Sequence, residues 1–340
     1  MHKRIFALLA LLLLLSSAGC RFLHSRLETK LPLQVGLLTD GNSVEDAGVN
    51  QAVWDSLQQL KIEMPGFDAH YRIPGRDGSY TECSAYLAAQ GCTLILCVDG
   101  RMAGIIADLA QANSNLTFAV MDCGALELSN VVCLRFAMEE AVYLAGYAAA
   151  KVSTSERLGC VHGRLTEETE QLLVSFMAGA KAANSDVVFL RRNILTQKDG
   201  GRLTAEEMVA NGVDVFFHVD GSADSAVLRV CQENAVWAVG ANEEQGMQSE
   251  KSMIAFAEKQ VETAIKQLIT ETAENGLKAG CRTFNFANGG ISLAVNEDVV
   301  PEKSLTSVNN VRDRIAAGEI TIPATFEKLI EKYPDLAENP

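Results

Sequence analysis

Residues 33–60, LQVGLLTDGNSVEDAGVNQAVWDSLQQL, constrain the fold more than any other stretch of the chain. Gln34 to Thr39 form one continuous, mainly apolar run. That is the pattern of a strand buried on both faces of a parallel sheet. The run stops at Asp40, and Gly41, Asn42 and Ser43 follow as loop residues. Val49, Val53, Trp54, Leu57 and Leu60 then recur at helical spacing, with Glu45 and Asp46 near the helix start. The unit is strand, loop, helix, with a carboxylate at the strand's carboxyl end. Open α/β sheets bind their ligands beyond that end.

The same design returns along the chain. Residues 93–99 (TLILCVD), 116–122 (LTFAVMD) and 213–220 (VDVFFHVD) are apolar runs that end in Asp99, Asp122 and Asp220. Residues 158–162 (LGCVH) end in His162, and 236–242 (VWAVGAN) end in Asn242. Aspartate commonly begins the turn after a strand, which explains any one of these. Several carboxylates along one sheet edge predict more, namely a polar pocket that accepts hydrogen bonds. A hydroxyl-rich ligand suits it, because an ionised carboxylate accepts from two neighbouring hydroxyls at once.

The chain has 340 residues and a formal net charge of −14. So acidic a chain lacks the basic stripe of a general nucleic-acid binder. At the N-terminus, His2, Lys3 and Arg4 precede the apolar run 5–15, and Ser16, Ser17, Ala18, Gly19 and Cys20 follow. This three-part order predicts a signal peptide over 1–19. A Cys directly after Ala-Gly resembles a bacterial lipobox, which implies lipidation at Cys20 and a polar leash over 20–32. The alternative is an uncleaved anchor, for which the apolar run is short of the about 20 residues a span needs. Eight further cysteines occur, at Cys83, Cys92, Cys97, Cys123, Cys133, Cys160, Cys231 and Cys281. An exported protein pairs cysteines; those in apolar strands equally act as small hydrophobes. No CxxC spacing occurs, so no zinc site is expected.

Beyond the first unit, strands and helices alternate. Residues 67–80 read as loop, 80–89 as helix, 104–113 as helix and 136–152 as an Ala- and Gly-rich helix. A second series follows: strand to His162, helix 167–184, strand 187–191, helix 204–211, strand to Asp220, helix 223–233 and strand 236–240. Residues 253–272 read as one long helix, 289–295 as a late strand, and 308–317 and 324–333 as closing helices. Such alternation predicts mostly parallel sheets flanked by helices. Residues 33–60 and 158–184 suggest a loose duplication, hence two lobes that close on a small ligand by a hinge.

Nucleophile elbows, HExxH, P-loops and dinucleotide fingerprints are missing from the sequence. His162 and His218 lie at or near strand ends, where with Asp122 and Asp220 they could form a metal site or an acid–base pair; the plainer reading is packed imidazoles. Binding is therefore preferred to catalysis, with no cofactor and no metal.

The opening 33–60 resembles that of the basic membrane protein family of substrate-binding lipoproteins. FAVMD at 118–122, EEAVYLAGYAA within 136–150 and FMAGAKAAN at 176–184 resemble further signatures of that family. So do VGANEEQ at 239–245, ANGGISLAV at 287–295 and GEITIP at 318–323. The resemblance runs in order along nearly the whole mature chain. It implies a two-lobed fold like that of type I periplasmic binding proteins. It also implies capture of a nucleoside for an ABC importer, with the permease subunits as partners and the lipid anchor on the outer membrane face. By the same resemblance Asp40, Asn50, Asp122 and Lys259 contact the ligand, and Gly221 admits backbone close to it. The expected division is a first lobe of 33–152 with about 253–286 and a second of 153–252 with about 287–340.

Some positions depart from the family. Val49 stands where the first base-stacking ring belongs, no Phe occurs near 196–198 for the second, and Asn242 replaces an Asp. Each lost ring removes about 1–3 kcal/mol of stacking. Trp54, Phe217 and Trp237 are the candidate replacements, with core packing as the plainer role for Trp54. Asp99, Asp220 and Asn242 complete the expected site. The ligand is then a nucleoside or nucleoside-like molecule. The alternatives are a sensing lipoprotein for another hydroxyl-rich or cationic solute and, less favoured, an enzyme on this scaffold.

Overall fold

The computed structural model describes residues 33–75, 79–195, 201–219, 224–248 and 250–337. Residues 1–32 with Cys20, residues 196–198, Asp220 and Gly221 lie outside the described residues.

The elements follow in chain order: β1 (Gln34–Leu38), α1 (Val49–Glu63), β2 (Asp68–Arg72), α2 (Tyr80–Ala89), β3 (Leu94–Cys97), α3 (Ala103–Ala112), β4 (Thr117–Met121) and β5 (Val131–Phe136). Next come α4 (Met138–Val152), β6 (Arg157–His162), α5 (Glu167–Ala183), β7 (Val188–Asn193), α6 (Arg202–Ala210), β8 (Val215–Val219), α7 (Asp224–Asn234), β9 (Trp237–Gly240), α8 (Glu243–Gln248) and β10 (Met253–Lys259). The chain ends with α9 (Val261–Asn275), β11 (Gly280–Phe284), β12 (Ile291–Val295), α10 (Glu302–Ala316) and α11 (Phe326–Lys332). They form two six-stranded sheets, ordered β11-β5-β4-β3-β1-β2 and β12-β10-β9-β8-β6-β7. The first is wholly parallel. The second is parallel except where β12 runs against β10. β3 and β8, buried throughout, and β1 and β4, buried past their first residue, are the apolar runs whose ends stood out in the sequence.

Three elements differ from the sequence expectation. Residues 67–80 contain β2, an edge strand reading DAHYR, too polar to announce itself as a strand. β11 is the opposite edge and largely exposed, so it too lacks an apolar run. Residues 253–272 are a strand and then a helix. The Ala, Met, Glu and Lys of β10 also suit a helix, and only pairing with β9 and β12 makes the segment extended.

Strand β10, expected with the first lobe, lies in the second sheet. The helix α4 leaves the first sheet and packs against α5, β10 and α10, while β10 lies in the second sheet and α9 returns to α1. The chain crosses between the sheets after β5, after β10 and after β11.

The contact of α4 with α5 is made backbone to backbone. A Cβ on Gly146 would lie 2.1 Å from the Phe176 carbonyl oxygen, and one on Gly179 would lie 1.8 Å from that of Tyr143. On the inner face of the second sheet the Phe176 ring stacks on Phe217 at 4.4 Å.

Asp214 ties the turn after α4 to the second sheet. Its carboxylate accepts from Ser153 Oγ at 2.7 Å, Thr154 N at 2.7 Å and Ser155 N at 2.9 Å. Burial pushes its pKa up, but those donors outweigh it and hold the group below the usual carboxylate value. A pKa lowered by folding contributes stability above the unfolded value, and that stability is lost as pH falls through the folded one. Asp214→Ala should therefore cost about 1–3 kcal/mol near neutral pH, a cost that shrinks as acid protonates the wild-type carboxylate below its ordinary range, with urea unfolding across an acid pH series as the check.

Candidate functional site

The carboxyl edges of the two sheets face each other across a cleft of about 970 Å³, within the usual range for a small-molecule site. The first sheet's loops contribute Asp40, Asp46, Asp99, Arg101 and Asp122, and α1 contributes Asp55. The second contributes Asn242, Glu244, Ala257 and Lys259.

Asp122 and Lys259 join across this cleft. Asp122 follows β4 and Lys259 ends β10, and Lys259 Nζ lies 2.5 Å from Asp122 Oδ2. About a third of each side chain is exposed, so a ligand can reach both groups. Asp122 has a left-handed φ of 53°, which a non-glycine residue adopts only when its surroundings enforce it. Two contacts do so. Its amide donates to the Leu134 carbonyl at 2.9 Å. Its own carbonyl packs against Gly100, where a Cβ would approach to 1.9 Å.

The loop after β1 holds a second carboxylate pair. Asn50 Nδ2 donates to Asp40 Oδ1 at 2.9 Å and to Asp46 Oδ2 at 2.6 Å. Because carboxylates only accept, the amide nitrogen must face them. Asn50 is fully buried behind the two acids, and its Oδ1 has no partner among the described residues. Asp46 also accepts from Gly48 N at 2.8 Å. Burial raises its pKa, yet the donors from Asn50 and the backbone outweigh it and keep the group below its ordinary value.

Asp99 is committed mainly to its own loop. It accepts from Arg101 N at 2.7 Å and Arg101 Nε at 2.6 Å, and the hydrogen bond from the Arg101 side chain lowers its pKa despite burial. Tyr80 lies nearby. Burial first, then the charges of Asp40 and Asp99, push its phenol above the ordinary value.

Five of the expected ligand contacts thus meet in one cleft: Asp40, Asp99, Asp122, Asn242 and Lys259. Asn50 sits behind it and aligns Asp40 with Asp46. Asn242 additionally accepts from Gln245 N at 3.0 Å and so caps α8. The sequence reading missed Asp46, Asp55, Arg101 and Glu244 as lining residues. Asp46 carried a legible signal, since it stands four residues before Asn50; nothing in sequence distinguishes the others from solvated charges.

The histidines do not join this site. His162 is buried, with Nδ1 3.0 Å from the Gly163 carbonyl oxygen, beside the C-terminal helix α11. His218 is fully buried in β8. Among the described residues no cluster of His, Cys, Asp or Glu could hold a metal. The three replacement rings do not reach the cleft either. Trp54 packs edge-on against Tyr71 at 4.9 Å, Phe217 lies in the core, and Trp237 borders a cavity with Met253 and Val299 at the amino end of the second sheet.

Residues 33–325 match the Bmp family, described as ABC transporter substrate-binding protein PnrA-like. The chain belongs to this family. Among relatives of this PnrA-like chain, the ABC transporter nucleoside-binding protein BmpA of Lactococcus lactis is 26% identical, over 95% of this chain and all of that protein. Basic membrane protein D of Borreliella burgdorferi is 27% identical over 78% of this chain and 80% of its own. The fold matches an ABC transporter solute-binding protein from Conexibacter woesei with a TM-score of 0.69, 18% identity and coverage of 86% and 99% of the two chains. A transcriptional activator of the comK gene from Bacillus halodurans matches with a TM-score of 0.70, 18% identity and coverage of 83% and 97%. The architecture is therefore that of type I periplasmic binding proteins. Among the described residues no helix is long and apolar enough to cross a membrane.

The geometry at Gly100 makes a direct prediction. Gly100→Ala places a methyl group against the Asp122 carbonyl and must displace the loop carrying the cleft carboxylate. The cost should be about 1–3 kcal/mol in stability, as for other overpacked sites, read from the thermal midpoint. Ligand affinity should fall with it.

Proposed function

We propose that this substrate-binding protein captures a nucleoside or nucleoside-like molecule in the inter-lobe cleft and delivers it to the permease of an ABC importer. The observation that carries this reading is the ion pair of Asp122 with Lys259, made across the cleft by residues from opposite sheets. Adjacent ribose hydroxyls can both donate to one carboxylate, and an ammonium can donate to a sugar or base oxygen. A ligand inserted there contacts both lobes at once, so its binding favours the closed arrangement. The name of the Lactococcus relative points to the same ligand class. The basic start, apolar run and Ala-Gly-Cys at the N-terminus support export and anchoring through a lipid on Cys20 as part of this reading.

A second reading rests on the composition of the cleft. Its polar lining holds more carboxylates than cations, and no aromatic ring lines it among the described residues. That composition suits a cationic or polyhydroxylated solute, and with it a sensing role. It disfavours phosphorylated ligands under either reading, because like charges repel in a partly desolvated site.

Native mass spectrometry and calorimetry with nucleosides, nucleotides, polyols and cationic solutes separate the two readings. A nucleoside should bind with a dissociation constant in the micromolar range or below, and its phosphate ester should not. Asp122→Ala should weaken binding at least tenfold, which corresponds to about 1.4 kcal/mol. A folded protein that ignores every nucleoside but holds a polyol or cation would decide for the second reading.

A further inference from the structure

Four cysteines gather in the first lobe, beside the strand ends that carry the cleft carboxylates. Cys97 ends β3, Cys123 follows Asp122, Cys133 lies within β5, and Cys281 lies on the edge strand β11. Cys133 Sγ lies 3.0 Å from the carbonyl oxygen of Gly124, the residue next to Cys123. Cys123 and Cys133 also share one buried apolar cluster, with Cys97. Cys133 and Cys281 are register partners on neighbouring parallel strands. Neighbouring strands run about 4.8 Å apart, within the Cα separation of about 4.4–6.8 Å that a disulfide spans. Register partners also point to the same face of a sheet. Three thiols thus form a chain from the exposed Cys281 through the fully buried Cys133 to the nearly buried Cys123.

We propose that Cys123 and Cys133 are a disulfide site, and that Cys281 is the thiol through which oxidising equivalents enter. The co-reactant is a low-molecular-weight disulfide. The Cys281 thiolate attacks one of its sulfurs, forms a mixed disulfide and releases one small thiol. The Cys133 thiolate attacks Cys281 Sγ, expels the second small thiol and leaves Cys133 bonded to Cys281. The Cys123 thiolate then attacks Cys133 Sγ and expels Cys281 as a thiolate. Two protein thiols lose two protons and two electrons, and one small disulfide is reduced to two thiols. Burial raises the Cys123 thiol pKa, which slows its direct reaction with solvent oxidants and leaves the exposed Cys281 as the entry point. The finished bond ties the residue beside Asp122 to the middle of β5. It therefore braces the loop that presents the cleft carboxylate.

The test incubates the full-length protein with oxidised glutathione under anaerobic conditions, then alkylates and maps peptides by mass spectrometry. The expected end product joins Cys123 to Cys133 and leaves Cys281 alkylated. Cys281→Ser, at an exposed position, should slow its formation at least tenfold without changing the product. Cys123→Ser should halt the sequence at the disulfide between Cys133 and Cys281. A glutathione adduct on Cys281 with Cys123 and Cys133 still alkylated would overturn the assignment. So would a stable wild-type bond from Cys133 to Cys281, or an oxidation rate indifferent to Cys281→Ser. None of these readouts depends on the identity of the cleft ligand.

Discussion

The ion pair of Lys259 with Asp122 depends on nearly everything else in the molecule being where it is. One charge comes from the last residue of a strand in the second sheet, the other from the residue after a strand in the first. Their approach to 2.5 Å requires the two carboxyl edges to face each other. Three chain crossings, with α4 wedged against the second sheet, set that relation. The pair is partly exposed, and such a pair contributes little to stability, about 0–1 kcal/mol. Its importance is positional: it marks the place where a ligand can replace one lobe's group as partner to the other's.

The backbone around Asp122 is arranged for presentation rather than for stability. A left-handed φ at a non-glycine residue costs about 1–3 kcal/mol, and the Gly100 contact and the Leu134 hydrogen bond hold it in place. At the end of β1, two strands along the same sheet, Asn50 performs the corresponding task with a side chain. Buried and bridging Asp40 to Asp46, it lets two acids sit side by side at the cleft wall. The cysteine chain lies directly behind the Asp122 loop, so its chemistry would act on the same presentation.

Much of the first lobe's architecture was legible because its central strands are buried on both faces. Such strands must be continuous apolar runs, and their ends are visible as the first polar residue: Asp40, Asp99 and Asp122. Edge strands bury one face or less, so DAHYR at β2 and GCRTF at β11 carried no comparable signal. β10 was misread for a different reason. Its residues suit helix and strand alike, and pairing partners remote in sequence decided the outcome. The place of α4 is set in the same way, by what it packs against.

The sequence by itself determined the alternating α/β class, the carboxylates at the strand ends and the kinship to a binding-protein family. Local hydrophobic pattern and residue order suffice for those. Only the tertiary structure decided that Asp122 meets Lys259, more than a hundred residues away in the chain, that Asn50 stands behind the cleft, and that Trp54, Phe217 and Trp237 point elsewhere. Those facts depend on which sheet an element joins and which way its edge faces. Both are set by long-range pairing and close packing, which a local pattern does not encode.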